Sequence, residues 1–253
     1  MKRIHYTAPY VLAPTHRLTV NLAGTGGTGS RVLTALGCID RSLHALGHPG
    51  LHVTAFDPDI VTEANIGRQL FSPSDMGLNK ASVLVTRINR FLSLDWEAVP
   101  ELFPDCADPA NITVSCVDSA RARIDIAGKL SSVPGGVDHR KPLYWLDFGN
   151  TVNAGQVVLG TLTDIEQPPA NEYETVSSLK TVAELFDLAS VDEKASGPSC
   201  SLAEALQRQD LFINSSLAQL GCNLLWKLIS TGCIDMQGLY LNLETMRVNP
   251  IKL

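Results

Sequence analysis

Nowhere does this chain approach eighteen consecutive uncharged apolar residues, so no segment reads as a membrane-crossing helix. There is no long run of one charge sign, and the formal net charge is −6, which argues against a broad electrostatic grip on nucleic acid and leaves open only a local basic patch. The six cysteines include no C-x-x-C pair, so no zinc knuckle is suggested. Met1 to Pro14 lacks the continuous apolar stretch of a secretory leader. Internal repeats and low-complexity tracts are absent too. These absences predict a reduced, cytoplasmic protein that engages neither membrane nor nucleic acid directly.

What the chain does contain suits a soluble enzyme. Its 253 residues are 45% hydrophobic and 18% charged, enough to bury a large core without disulfides or metal. Leu18 to Ala23 reads as a strand that ends in Gly24-Thr25-Gly26-Gly27-Thr28-Gly29. A helix is expected from Ser30, with Val32, Leu33, Leu36, Ile39 and Leu43 as its apolar stripe. Leu51 to Phe56 follows as a strand, then a loop from Ile60 to Asn79. A helix from Lys80 to Leu92 should turn Val83, Leu84, Ile88 and Phe91 inward. Ile112 to Val117 is a short apolar run of the buried parallel kind, and Ser119 to Val133 the next helix. This alternation predicts an α/β fold, a Rossmann-like mainly parallel sheet with helices on both faces.

Later strands depart from the pattern. Leu143 to Asp147 and Gln156 to Gly160 predict a hairpin, making this part of the sheet antiparallel or mixed. Thr163 to Ser199 is long, polar and punctuated by proline, with a short helix near Thr181 to Leu188. A stretch of that length suggests a lid or partner-binding segment within a single 1–253 domain. Helices are expected again at Ser201 to Gln209 and Leu211 to Ser230, then a strand at Gly238 to Leu243. Cys38, Cys116 and Cys222 lie among apolar neighbours, as do Trp145 and Trp226, and all five read as core.

The glycine turn between strand and helix is the strongest chemical signal. Gly24, Gly26, Gly27 and Gly29 let the backbone turn tightly and approach a phosphate, which the next helix meets with free N–H groups and its positive dipole end. A nicotinamide-binding domain would place an acid about twenty residues further on to take the ribose hydroxyls. Here the acids are a pair, Asp57 and Asp59, at the end of the next strand, which leaves NAD(P) and an oxidoreductase open. The loop that follows favours ATP. It brings Asn65, Arg68 and Gln69, then Lys80 at a helix start. A triphosphate carries about four negative charges that its transfer chemistry must neutralise and align. Arg68 can fork onto phosphate oxygens, Lys80 can supply a point charge, and Asn65 and Gln69 can orient the ligand.

The motifs G-T-G-G-T-G-S, D-P-D-I-V-T-E-A-N-I-G-R-Q-L-F, D-M-G-L-N-K and S-C-V-D-S-A-R, in this order, resemble those of the ThiF/MoeB family of E1-like activating enzymes. L-D-F-G-N-T…G-Q-V-V-L-G is similar to the family's later strands. The short N-terminus and P-S-C-S-L-A-E-A-L are similar to ThiF-like members of the plasmid-associated PRTRC cassette. The resemblance implies an ATP-dependent adenylyltransferase that activates the C-terminal glycine carboxylate of a small ubiquitin-like or sulfur-carrier-like protein, working as a homodimer. It further implies that Asp59 binds ribose, that Asn65, Arg68, Gln69 and Lys80 hold phosphates, and that Asp118 binds Mg²⁺. Asp118 is equally placed to cap the helix that follows it. A non-catalytic partner subunit of the same family is the alternative. The chain departs from the family in lacking the paired C-x-x-C zinc site. It also lacks a partner-reaching N-terminal arginine, since Arg3 and Arg17 sit in no matching motif.

Some relatives pass the activated carboxylate to a cysteine. Cys200 follows Gly197-Pro198-Ser199 and precedes an expected helix, where a thiol can be held as thiolate. A buried turn cysteine fits the same residues. Cys106, between Asp105 and Asp108, sits among charges that oppose thiolate formation.

Overall fold

Strand residues alternate between the two faces of a sheet, so a run that is apolar at every position must be covered on both sides. The computed structural model describes residues 2–104, 107–132, 138–169, 172–190 and 209–253. Its elements run β1 (Arg3–Tyr6), α1 (Pro9–Leu12), β2 (Leu18–Ala23), α2 (Gly27–Ala45), β3 (Leu51–Phe56), α3 (Lys80–Leu92), β4 (Glu97–Val99), β5 (Ile112–Ser115) and α4 (Ala120–Ser132). The remainder is β6 (Tyr144–Asn150), β7 (Ala154–Thr161), β8 (Glu174–Thr175), α5 (Val182–Leu185), α6 (Ile213–Thr231), β9 (Cys233–Ile234), β10 (Met236–Asn242) and β11 (Arg247–Lys252).

An eight-stranded sheet has the order β11-β10-β7-β6-β5-β2-β3-β4. The five strands from β4 to β6 are parallel, and β7, β10 and β11 continue the sheet antiparallel. Along β6, Tyr144, Leu146 and Phe148 join the larger core with residues of α2, α3 and α6. Trp145, one step out of phase, joins a smaller core with Ile126 of α4 and Val182 of α5. Helices therefore cover both faces, as the alternation of strands and helices predicts. Among the described residues, no helix is long and apolar enough to cross a membrane.

Several local expectations need correction. Phe91 is 79% exposed. The buried stripe of α3 is Ala81, Leu84, Val85 and Ile88, and Phe91 lies off it. Cys38 is exposed on the outer side of α2, and Trp226 is only partly buried. Helix α2 starts at Gly27, so the glycine turn already forms its first turn. β1, β4 and β11 have no counterpart among the expected elements. β4 is only three residues long. β11 is almost wholly exposed and carries Pro250, which a sheet edge tolerates because one side of the strand has no ladder to join.

β1 also pairs with β8 and β9 in a separate three-stranded sheet. Buried His5 fastens that sheet to the main one. Its Nδ1 lies 2.6 Å from the Val176 carbonyl and its Nε2 3.0 Å from the Tyr144 hydroxyl. A carbonyl can only accept, so Nδ1 carries the proton and Nε2 accepts from Tyr144, whose oxygen in turn accepts from the Ala8 N–H. Burial lowers the His5 pKa, while the bond to Val176 opposes it. The long polar stretch is anchored at its start, where Ile165, Leu179 and Val182 are buried.

Candidate functional site

β2 has β3 on one side and β5 on the other, so the strand order reverses beside it. In open α/β sheets such a point, at the carboxyl ends of the strands, is where a ligand crevice forms. The glycine turn lies there. Gly24 has φ +85°, which favours glycine, and a Cβ on it would lie 2.9 Å from the Cys116 carbonyl at the end of β5. A Cβ on Gly29 would sit 1.9 Å from the Gly24 carbonyl, so the turn closes on itself with no room for a side chain. Among the described residues no side chain caps the N-terminus of α2, the kind of helix start whose free N–H groups can meet an anion.

The two acids beyond β3 separate in role. Asp57 is buried under the turn. Its Oδ2 accepts from the Thr25 N–H at 2.7 Å and the Thr25 hydroxyl at 2.9 Å, and its Oδ1 accepts from the Asp59 N–H at 3.0 Å. These bonds fix the glycine turn to the end of β3. Asp59 is 65% exposed and takes Lys80 Nζ at 2.8 Å, while Lys80 keeps only 10% of its side-chain surface. Asn79 places that lysine: its Oδ1 caps α3 by accepting from the Ser82 N–H at 2.9 Å, and its Nδ2 donates to the Asp57 and Asp59 carbonyls. The cation at the start of α3 thus has Asp59 as its resident anion.

The polar loop also reaches the turn. Gln69 is 8% exposed and its amide lies 3.8 Å from where a Cβ on Gly26 would stand. Its Oε1 is buried with no hydrogen-bond partner among the described residues. A polar group left so beside an uncapped helix start is what a ligand-binding crevice needs and a closed core avoids. Arg68 Nη1 donates to Gln209 Oε1 at 3.1 Å, and burial lowers the pKa of the guanidinium. Asn65 turns its Oδ1 back onto the Thr62 N–H and hydroxyl, at 2.9 and 3.1 Å, leaving its amide N–H₂ as the end that can meet a ligand.

Two groups of residues that sequence reading passed over complete the arrangement. Gln209 Oε1 also accepts from Asn214 Nδ2 at 3.1 Å, and Asn214 Oδ1 accepts from the Thr28 hydroxyl at 2.9 Å. A hydrogen-bonded path therefore runs from Arg68 through α6 to the first turn of α2. On the other strand end, Arg123 Nε bonds both oxygens of buried Asp147 at 3.0 Å, and Ser115 donates to Asp147 Oδ1 at 2.5 Å. Burial raises the Asp147 pKa, and Arg123 and Ser115 oppose it. Removing one member of such a pair typically costs about 3–5 kcal/mol.

Asp118 follows β5 and is exposed. The cap of α4 is made by Ser119, whose Oγ accepts from the Ala122 N–H at 3.1 Å, so the capping alternative for Asp118 gives way. Among the described residues no group of three or more His, Cys, Asp or Glu could hold a metal. A hard cation such as Mg²⁺ can be held by a single protein carboxylate plus substrate phosphates, and Asp118, exposed after β5, is a residue that could serve in that way. Cys200, Cys106 and the helix expected from Ser201 to Gln209 lie outside the described residues, apart from Gln209 itself. The thiol of Cys116 lies inside although part of the residue reaches the surface, and burial pushes its pKa well up. Cys222 is pushed up to about 12, again by burial. Neither is a thiolate nucleophile at neutral pH.

A parallel sheet that reverses at a glycine turn, with an uncapped helix start and cationic side chains around it, defines a Rossmann-like nucleotide-binding protein. The ThiF family model matches residues 13–203, and the chain belongs to the ThiF family. Its fold is similar to that of E. coli MccB, with TM-score 0.61 and 15% identity over 96% of this chain and 63% of that one. A structure of E. coli MccB with ATP gives TM-score 0.58 at 14% identity, covering 96% of this chain and 64% of that one. PaaA gives 0.57 at 14% identity, covering 93% and 64%. The chain thus spans a little under two thirds of the length of these relatives. Among curated proteins no sequence match is found.

Proposed function

We propose that this protein is an ATP-dependent adenylyltransferase that activates the C-terminal carboxylate of a small ubiquitin-like or sulfur-carrier-like protein ending in glycine. The observation that carries the reading is the Gln69 amide oxygen, unpartnered among the described residues, beside the uncapped start of α2, with Arg68 linked to that turn through Gln209 and Asn214 and Lys80 linked to it through Asp59 and Asp57. An α-phosphate sits on the α2 N–H groups, with Gly24, Gly26, Gly27 and Gly29 allowing its approach. Arg68, Lys80, Gln69 and Asn65 meet the remaining phosphates, and Asp59 meets the ribose with the oxygen that Lys80 leaves free. Asp57 acts one step back, by holding the turn.

Mg²⁺, when bound through Asp118, supplies charge neutralisation for the phosphates. The rest is positioning by the protein. The acceptor carboxylate attacks the α-phosphorus, the bond to the β-phosphate oxygen breaks, and pyrophosphate leaves with its charge held by Arg68 and Lys80. Family membership and the fold of an ATP-bound relative support this reading.

ATP–pyrophosphate exchange tests the proposal, with a panel of ubiquitin-like and sulfur-carrier proteins ending in glycine. Exchange is expected with at least one carrier and is lost when its terminal glycine is removed. Nucleotide turnover that is indifferent to that carboxylate contradicts the proposal.

A further inference from the structure

Arg123 does more than neutralise Asp147. Beyond the two bonds to that carboxylate, its Nη2 donates to the Val117 carbonyl at 2.8 Å and the Phe148 carbonyl at 2.7 Å. Its Nη1 donates to the Ser119 carbonyl at 3.1 Å. Val117 and Ser119 are the two residues on either side of Asp118. A buried guanidinium, 7% exposed, therefore grips the chain immediately before and after that carboxylate. The anchor beneath it is rigid: Trp145 Nε1 donates to Ser115 Oγ at 2.7 Å, Ser115 donates to Asp147, and Asp147 is fully buried. Meanwhile the Asp118 side chain has no hydrogen-bond partner among the described residues.

We propose that Arg123, anchored on Asp147, is a positioning residue that sets the 117–119 loop and through it the Asp118 carboxylate for Mg²⁺. The inference rests on the reading of Asp118 as the metal-binding carboxylate. It follows from what only a fork can do. A lysine could satisfy the charge of Asp147 but could not also reach three carbonyls held in different directions. Groups that orient a metal-binding carboxylate typically matter by about 10–100-fold in metal affinity.

The test is ATP binding by calorimetry with and without Mg²⁺, together with the thermal midpoint of the ligand-free protein, for Asp118→Asn, Arg123→Lys and the double variant. Asp118→Asn should abolish the gain in ATP affinity that Mg²⁺ gives and leave the ligand-free midpoint unchanged. Arg123→Lys should weaken the Mg²⁺ response at least tenfold, with Mg²⁺-free ATP affinity within about twofold of the parent. The double variant should be no worse than Asp118→Asn. If Arg123→Lys does not fold, R123M/D147N, which leaves no buried charge unpaired, should show the same loss. A folded Arg123 variant with the parent's Mg²⁺ response overturns the positioning role alone. An unchanged Mg²⁺ response in Asp118→Asn overturns both that role and the metal reading beneath it.

Discussion

Lys80 Nζ lies 2.8 Å from Asp59 Oδ2, and Asp59 is tied to the glycine turn through its N–H bond to Asp57, which holds Thr25. The pair gives the nearly buried lysine a compensating charge before any ligand arrives, which offsets the cost of burying a cation at the start of a helix. A phosphate approaching Lys80 must share it with Asp59. Lys80→Ala is therefore expected to weaken ATP binding by at least tenfold while the fold persists, because Asp59 is exposed enough to be solvated alone. Titration of the variant with MgATP checks this. Affinity equal to that of the parent would place the phosphates away from α3.

Gly27 is limited by a side chain and Gly29 by backbone, and the two should respond differently to alanine. A Cβ at Gly27 would come within 2.7 Å of Asn214 Nδ2, the end of a side chain. Gly27→Ala should cost about 1–3 kcal/mol as an overpacked contact. Asn214→Ala in the same chain should recover part of that loss. Thermal midpoints of the two single variants and the double variant give the coupling, and strictly additive losses would contradict the contact. Gly29→Ala meets the Gly24 carbonyl and should gain nothing from Asn214→Ala.

Acid should loosen the docking of the small sheet through His5. Its folded pKa is lowered from the ordinary value of 6.5. Above that value both the folded and unfolded forms carry a neutral imidazole, and no stability is at stake. As pH falls below it, the unfolded chain takes up a proton that the buried ring resists, so stability drops until the folded ring also titrates. The thermal midpoint should decline between about pH 7 and 5, and the decline should be shallower in His5→Asn. Parallel profiles for the two proteins would assign the acid response elsewhere.

How much of this was legible beforehand depends on how far apart in the chain the cooperating residues lie. Leu18 to Ala23 and Leu51 to Phe56 alternate apolar and polar residues between turn signals, and the structure places strands on those same residues. The glycine turn, Asp59, Arg68, Gln69 and Lys80 fall within one local stretch whose spacing carries chemistry. Asn214 and Gln209 carry no such mark. They matter because α6 packs on α2 and brings them to Thr28 and Arg68. That Arg123 and Asp147 pair could not be read beforehand, since burial of an ion pair is a property of the fold and not of its neighbours in sequence. Phe91 misled because a stripe of apolar residues at helical spacing does not say which edge of it reaches solvent.

The most direct test of the central claim is a comparison of MgATP, NAD⁺ and NADP⁺ by thermal shift and calorimetry on the unmutated protein. A ligand that binds only the folded state stabilises it by RT ln(1 + [L]/Kd), about 2.7 kcal/mol at roughly a hundred times Kd. MgATP is expected to raise the thermal midpoint and to bind with one-to-one stoichiometry, and Arg68→Ala should abolish the shift. NAD⁺ and NADP⁺ should do neither. A clear shift with either dinucleotide and none with MgATP would contradict the account.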